Sequence, residues 1–292
     1  MGAVRTLLEF VKIEHTLFAL PFVLAGMVVG FVHEGLPLAP TREGARVFAL
    51  VLVAATGART LGMTLNRIVD RRLDARNPRT AGRALPSGAM RLSTAVALAV
   101  ASGAALVLAA AALNPLVLAL SPVLVALFAL YPLAKRFTWA CHLVLGLAFL
   151  CAPAGGYLAV TGSFDGWVPP FLLGVAAMAW VAGFDVIYAL LDVASDRANG
   201  VHSMPADLGE PAARRIAAAL HALTVLSLAA FGAAFAPRWP LYVAIVAIGA
   251  LLTYEHAAAR PEDPASINKA FFHVNAVVGW IALAGLLGAL LL

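Results

Sequence analysis

The chain consists of long apolar runs separated by short polar connections. The stretch from Thr94 to Leu113, for example, contains no charged side chain. Because a helix that spans a bilayer needs about 20 predominantly apolar residues, this pattern predicts an all-α, polytopic membrane protein. Nine runs have roughly this length: His15–Val32, Arg46–Asn66, Leu92–Leu113, Leu116–Leu133, Ala140–Val160, Trp167–Leu190, Ala212–Ala236, Trp239–His256 and Phe271–Leu292.

The breaks between the runs carry turn-forming residues, such as Asn77-Pro78, Asn114-Pro115 and Asp263-Pro264. Neither a soluble domain nor a low-complexity tail is evident. We therefore expect one transmembrane domain over residues 1–292, with about nine helices in a bundle around a central cavity.

The composition excludes several classes of protein. Hydrophobic residues make up 62% of the chain and charged residues 12%, whereas an average soluble domain is about a quarter charged. This excludes a disordered chain, an ordinary soluble enzyme and a nucleic-acid-binding domain, and nothing indicates an obligate protein partner. Cys141 and Cys151 lie within one apolar run, so neither a disulfide framework nor a thiolate metal site is supported.

Basic residues are distributed unevenly between the two sides of the membrane. Of the 20 Lys and Arg residues, Arg59 lies within a run, and Arg42, Arg46 and Arg238 lie in alternate connections. The rest, including Arg5 and Lys12, lie at the N-terminus or in the other connections. Because positive charge stays cytoplasmic, we expect a multi-pass protein of the inner (cytoplasmic) membrane with its N-terminus in the cytoplasm.

An acidic motif follows the second apolar run. Asn66, Asp70 and Asp74 are spaced i, i+4 and i+8, so they share one helical face. The segment then continues through Arg79, Thr80, Arg83, Pro86 and Gly88.

A second acidic motif follows the sixth run, within residues 185–209. At about 100° per residue, a regular helix places the side chains of Asp185, Tyr188, Asp192 and Asp196 on one face. Asp192 and Asp196 follow Asp70 and Asp74 at one constant offset, and four runs lie between the motifs. Both motifs are therefore expected on the cytoplasmic side, and an internal repeat of four helices is a hypothesis.

Carboxylates crowded at one membrane face repel one another and any anionic ligand, and a divalent cation removes this conflict. Mg²⁺ is typically held by one or two carboxylates together with substrate phosphates. Asp70, Asp74, Asp192 and Asp196 are therefore candidate metal ligands and catalytic residues. The basic residues Arg79, Arg83, Lys135 and Arg136 are candidate ligands of phosphate oxygens. A diphosphate attached to a lipid tail suits this arrangement.

Two other interpretations apply to these charges. Each Asp pair with its neighbouring arginines could be a solvated helix end that forms local ion pairs; two motifs in register on one side argue against this. Arg59 lies within a run, where a charge is costly. It precedes Asn66 by seven residues and so shares its face, which favours a role in pairing with the site carboxylates.

The pattern Asn66-x3-Asp70-x3-Asp74-x2-Asn77-x-Arg79-Thr80-x2-Arg83-x2-Pro86-x-Gly88 resembles the first signature of the UbiA superfamily of intramembrane prenyltransferases. The pattern Tyr188-x3-Asp192-x3-Asp196-x3-Gly200-x2-Ser203 resembles the second. The segments Lys12 to Pro21 and Tyr131 to Thr138 also resemble parts of this superfamily.

This resemblance implies Mg²⁺-dependent transfer of a polyprenyl group from a polyprenyl diphosphate to an aromatic acceptor. It assigns Mg²⁺ to Asp70 with Asp74 and to Asp192 with Asp196. It assigns substrate binding to the remaining candidates: Asn66, Arg79, Arg83, Lys135, Arg136, Tyr188, Asp185, Ser203 and Arg59.

The first signature is most similar to the 4-hydroxybenzoate polyprenyltransferase branch, which serves quinone biosynthesis. Ala84 departs from that branch, where many relatives carry proline. The run Val201-His202-Ser203-Met204-Pro205 instead resembles a bacterial subgroup that acts on a dihydroxynaphthoate for menaquinone.

Two unrelated functions compete with prenyl transfer. A secondary transporter is also polytopic and carries charges at helix breaks, but its sites lie near the bilayer midplane. A CDP-alcohol phosphotransferase also uses aspartates and a metal, but its Asp-Gly-x2-Ala-Arg signature is absent from this sequence.

Overall fold

The computed structural model of the chain describes residues 3–11, 16–39, 41–260 and 262–292, and only the backbone at 3–5, 8, 16 and 17. Lys12 lies outside this part of the chain. The helices are α1 (Ala3–Val11), α2 (Thr16–His33), α3 (Arg42–Arg76), α4 (Leu92–Leu113), α5 (Pro115–Ala134), α6 (Cys141–Thr161), α7 (Val168–Ala189), α8 (Val193–Asn199), α9 (Met204–Leu208), α10 (Glu210–Phe235), α11 (Trp239–Ala258) and α12 (Pro264–Leu291).

Eight of the described helical segments are long and apolar enough to cross a membrane: α3, α4, α5, α6, α7 continued through α8, α10, α11 and α12. The remaining predicted run corresponds to α2, whose apolar part is shorter and which packs against α6 and α12. The all-α, multi-pass membrane architecture is thus confirmed. The central cavity stays a prediction.

Helix α3 continues well beyond the predicted end of its apolar run at Asn66. It begins after Thr41, whose hydroxyl accepts a hydrogen bond from the Gly44 N–H (3.0 Å), and it has 35 residues. At 1.5 Å per residue, Asp70 lies about 36 Å along the axis from Arg46, at the opposite end of the helix. The hydrocarbon core of a bilayer is only about 30 Å thick. If Arg46 lies at one edge of this core, the acidic motif lies at the other edge rather than at the midplane.

Helix α7 forms the centre of the bundle and packs against α2, α6 and α10. Its Trp180 is fully buried and stacks on Phe22 of α2. The indole N–H donates to Asn275 Oδ1 (2.7 Å), and the Asn275 amide donates to Glu255 Oε1 (2.8 Å). Among the described spans, the best-buried one is therefore the one in which the second acidic motif begins, at Asp185 and Tyr188.

Helices α2 and α6 approach each other so closely that their backbones are almost in contact. A Cβ atom built on Gly156 would lie 2.0 Å from the Val23 carbonyl oxygen, and one on Gly26 would lie 1.9 Å from the Pro153 carbonyl oxygen. Small residues permit this approach in membranes, where helix association depends on close packing.

We expect Gly156→Ala to destabilise the protein, because even a methyl group forces α2 and α6 apart. Overpacking of this kind typically costs about 1–3 kcal/mol. The adjacent Gly155→Ala is a matched control, since a Cβ at Gly155 meets no atom within 4 Å. Thermal unfolding in detergent should show a lower midpoint for Gly156→Ala only. Equal midpoints would contradict the close packing described here.

The second acidic segment is not one regular helix. The prediction that a regular helix places its four polar side chains on one face is therefore wrong. The α-helix ends at Ala189, a 3₁₀ turn covers Leu190–Asp192, and α8 begins at Val193. Asp192 has φ −112° and ψ 1°. Its carboxylate contacts the connection that follows α3, and such tertiary contacts override helical periodicity. The four-helix repeat stays a prediction.

Candidate functional site

Three of the four motif aspartates form ion pairs with basic residues from other segments. Lys135, just after α5, pairs with Asp70. Arg83 Nη1 lies 2.7 Å from Asp74 Oδ1, and Arg79 pairs with Asp192. The cations are the same residues that the sequence predicts for phosphate binding. The structure therefore brings the two acidic motifs and three predicted phosphate ligands into one site.

Asp192 is held by the connection that follows α3. Arg79 Nε donates to Asp192 Oδ1 (2.9 Å), and the Arg79 Nη2 group donates to Oδ2, which makes the contact bidentate. Asn77 Nδ2 also donates to Oδ1 (2.8 Å). Arg79 Nη1 donates to the Tyr188 hydroxyl (3.1 Å), and the guanidinium carbon lies 5.2 Å from the centre of that ring.

Burial alone would lower the pKa of Arg79. The hydrogen bond to Asp192 and the charge of that carboxylate outweigh burial, so the pKa is raised. Arg79 therefore stays cationic. Asn77 was not among the predicted site residues, although it lies within the first motif. Its Asn-Pro sequence indicated only a turn.

Asp196 takes a different partner, because the Ser203 hydroxyl donates to its Oδ2 (2.9 Å). The same hydroxyl caps α9 by accepting from the Ala206 N–H (3.3 Å). Ser203, a predicted site residue, is thus next to a motif carboxylate and is fixed by the start of a helix.

Asp185 faces His142 of α6 instead of the cations. Its Oδ2 lies 2.7 Å from His142 Nδ1, and Met204 N–H donates to His142 Nε2 (3.3 Å). Nε2 must accept this bond, so the hydrogen-bond network assigns the proton to Nδ1. Sequence reasoning missed His142, since a lone histidine in an apolar run carries no spacing signal.

The two remaining basic residues that were predicted for the site are Arg136 and Arg59. Arg136 is exposed, and its Nη2 donates to the Val69 carbonyl oxygen (3.0 Å), so it contacts the α3 backbone next to Asp70. Arg59 is half-buried on α3, about two helical turns deeper in the bundle than Asn66.

Buried polar atoms without a hydrogen-bond partner among the described residues are concentrated on α3. Those on α3 include atoms of Thr64 (Oγ1), Asn66 (Oδ1), Arg67 (Nε and Nη1), Asp70 (Oδ1) and Asp74 (Oδ2), whereas two others, His221 Nε2 and Glu255 Oε2, lie on α10 and α11. Buried polar atoms are normally hydrogen-bonded, so a concentration of exceptions along one helix indicates the place where a polar ligand binds. Arg67 and Thr64 were not among the predicted site residues.

The acidic residues can supply some, but not all, of the ligands of a bound Mg²⁺. Asp70 and Asp74 each hold one oxygen on a cation and keep a second, buried oxygen available for a metal. Among the described residues, no three His, Cys, Asp or Glu side chains converge as a ready-made site. Carboxylates of this kind suit Mg²⁺ that takes its other ligands from phosphate and water.

The chain resembles known proteins over most of its length. Residues 19–290 match the UbiA prenyltransferase family. A 4-hydroxybenzoate octaprenyltransferase of Methylobacillus flagellatus is 31% identical over 232 residues, which are 80% of this chain and 76% of the relative.

Two solved structures share the fold. The apo structure of a UbiA homolog from Aeropyrum pernix K1 is 32% identical, with a TM-score of 0.83 over 95% of this chain and 98% of that one. A UbiA homolog from Archaeoglobus fulgidus bound to DMAPP and Mg²⁺ is 20% identical, with a TM-score of 0.71 over 96% and 99% of the two chains. On this evidence the chain is a prenyltransferase and belongs to the UbiA prenyltransferase family.

Proposed function

We propose that the protein transfers a polyprenyl group from a polyprenyl diphosphate to 4-hydroxybenzoate in quinone biosynthesis, with Mg²⁺ as cofactor. The observation that carries this proposal is the site of two acidic motifs whose carboxylates pair with Lys135, Arg79 and Arg83. Relatives that act on 4-hydroxybenzoate, and a homologue that binds DMAPP with Mg²⁺, support the choice of substrates and metal.

In this proposal, the diphosphate binds where the cations now meet the carboxylates. Arg79, Arg83 and Lys135 exchange their carboxylate partners for phosphate oxygens, to which Arg binds strongly through charge-assisted hydrogen bonds. Asp70, Asp74 and Asp192 are thereby released, and together with Asp196 they would hold Mg²⁺. Ser203 orients Asp196, and Asn77 and Tyr188 keep Asp192 and Arg79 aligned.

The reaction breaks the bond between the prenyl C1 and the diphosphate oxygen, and the electron pair leaves with the diphosphate. A ring carbon of the acceptor donates its π electrons to C1 and forms the new carbon–carbon bond. Loss of the ring proton then restores aromaticity. Bound Mg²⁺ supplies Lewis-acid stabilisation of the departing diphosphate. The cationic side chains stabilise the same charge, and the apolar bundle excludes water that would capture the allylic carbon.

The orientation is part of the proposal, with the site on the cytoplasmic side of the inner membrane. The excess of basic residues in the connections around both motifs supports this side. The position of Asp70 at the hydrocarbon edge favours an enzyme over a transporter with a midplane site. Labelling of a cysteine introduced at the exposed Ser87 by an impermeant reagent outside intact cells would contradict this orientation.

Acceptor identity is tested with purified protein, Mg²⁺ and a long polyprenyl diphosphate. We expect prenylated product with 4-hydroxybenzoate and a much lower rate with a dihydroxynaphthoate, measured by chromatography of the lipid extract. Efficient transfer only to the dihydroxynaphthoate would replace the acceptor with the one that the Val201–Pro205 run favours. No transfer to either ring would overturn the proposal.

A further inference from the structure

Arg67 is a buried cation on α3 that has no hydrogen-bond partner for two of its N–H groups. The residue is 6% exposed, and Nε and Nη1 contact no acceptor among the described residues. A buried charge is normally paired or fully hydrogen-bonded. The arrangement of Arg67 is therefore costly unless an anion binds there.

The charges around Arg67 favour an anion. The ionisable groups with the strongest fields at Arg67 are Arg83, Asp74 and Arg59. Asp74 is the one carboxylate in this group, and Arg83 already pairs with it. The surroundings thus keep an excess of positive charge inside the protein.

The backbone of Arg67 lies deeper in the bundle than the three cations assigned to the diphosphate, although the charge of Arg83 reaches its guanidinium. It precedes Asp70 by three residues and Asp74 by seven, so it shares their helical face but lies about 4.5 Å deeper than Asp70. Arg79, Arg83 and Lys135 all reach the aspartates from connections at the end of the bundle. An anion that reaches Arg67 from the interior of the bundle therefore lies on the inner side of the acidic residues.

A second polar group without a partner lies one turn deeper on α3, three residues before Arg67. Thr64 is fully buried, and its hydroxyl has no hydrogen-bond partner among the described residues. A hydroxyl beside a guanidinium can complete the hydrogen bonding of a carboxylate, which offers several lone pairs to donors. The planar guanidinium matches a carboxylate in geometry as well as charge.

We propose that Arg67, supported by Thr64, binds the carboxylate of the aromatic acceptor and so selects acidic rings over neutral ones. The proposal rests on the proposed function and deepens it. It covers both candidate acceptors, because 4-hydroxybenzoate and a dihydroxynaphthoate each carry a carboxylate. The deep position of Arg67 places this subsite on the side of the acidic residues away from the loop cations.

The test compares 4-hydroxybenzoate with 4-hydroxybenzamide, which has the same shape and no charge. For the unmodified protein, we expect kcat/KM to favour the acid by about 10–100-fold, as charge-assisted hydrogen bonds imply. In Arg67→Gln, kcat/KM for the acid should fall by about the same factor, mainly through the acceptor KM. The preference for the acid should shrink to about threefold or less, while the KM of the prenyl diphosphate stays within about twofold.

Arg72→Gln is the matched control, because Arg72 is an exposed arginine on the same helix, and its kinetics should match the unmodified protein. Arg67→Lys keeps the charge and should retain most of the acid preference, which provides a measurement if the glutamine variant does not fold. The same comparison with a dihydroxynaphthoate and the corresponding dihydroxynaphthalene should show the same dependence on Arg67.

The outcomes separate this proposal from the proposed function. If the unmodified protein prenylates neither carboxylated ring, the proposed acceptor class fails. If it prenylates one of them and Arg67→Gln keeps the full acid preference, only the carboxylate subsite fails. A rise in the diphosphate KM with an unchanged acceptor KM would assign Arg67 to the donor and overturn the inference.

Discussion

Asp70→Asn is expected to lower prenyl transfer by about 1,000-fold or more. The substitution keeps the side-chain volume at a site that is 1% exposed but removes the charge proposed to bind Mg²⁺. Loss of several kcal/mol of metal-derived transition-state stabilisation corresponds to this factor at about 1.4 kcal/mol per tenfold. The measurement is the initial rate at saturating substrates over a range of Mg²⁺ concentrations.

The control for this experiment is Glu262→Gln, which removes a carboxylate from an exposed position between α11 and α12. It should leave the rate unchanged. Both variants should elute from size exclusion as the unmodified protein does. Near-normal turnover by a folded Asp70→Asn variant would exclude Asp70 as a metal ligand.

Mg²⁺ and the diphosphate are expected to bind as a coupled pair, each raising the affinity for the other by about 100-fold. Metal alone competes with Arg79, Arg83 and Lys135 for their carboxylates, and any cation that is displaced then has no anionic partner. A diphosphate supplies that partner. A coupling of 100-fold is about 2.7 kcal/mol, within the range of one charge-assisted hydrogen bond. Binding of Mn²⁺ as a spectroscopic probe, with and without an unreactive thiodiphosphate analogue, measures it.

Arg79→Gln should change metal binding and diphosphate binding in opposite directions. Removing the cation that pairs with Asp192 should strengthen Mn²⁺ binding in the absence of the diphosphate, because one competitor is gone. It should weaken binding of the thiodiphosphate itself. Weaker metal binding in both conditions would contradict the exchange of partners, and equal Mn²⁺ affinity with and without the analogue in the unmodified protein would exclude coupling.

Much of the architecture could be predicted because long apolar runs commonly form transmembrane helices. The spacing of Asp70 and Asp74 likewise set their shared face correctly, since a regular helix has a fixed period. The same reasoning failed at Asp192, because contacts with Arg79 and Asn77 arise from residues more than 100 positions away. Periodicity contains no information about such contacts.

The sequence also did not show which basic residue pairs with which carboxylate. Lys135 and Arg79 were predicted as phosphate ligands, and nothing in their spacing showed which carboxylate each would contact. His142 and Arg67 were missed for a related reason, since one looked like an isolated core histidine and the other like part of a basic helix end. Burial without a hydrogen-bond partner identified Arg67, and this property exists only in the folded chain.

The length of α3 affects the free energy that ions need to enter and leave the site. Transfer of a bare carboxylate- or ammonium-sized ion into a medium of low dielectric constant costs on the order of 20 kcal/mol, and a divalent ion costs more. Asp70 lies about 36 Å along the helix from Arg46, so with Arg46 at one edge of the hydrocarbon the acidic residues lie at the other edge. Under the proposed assignment, Mg²⁺ and the released diphosphate therefore exchange directly with water, while the prenylated product stays dissolved in the lipid. Turnover requires no step in which a bare ion crosses the membrane interior.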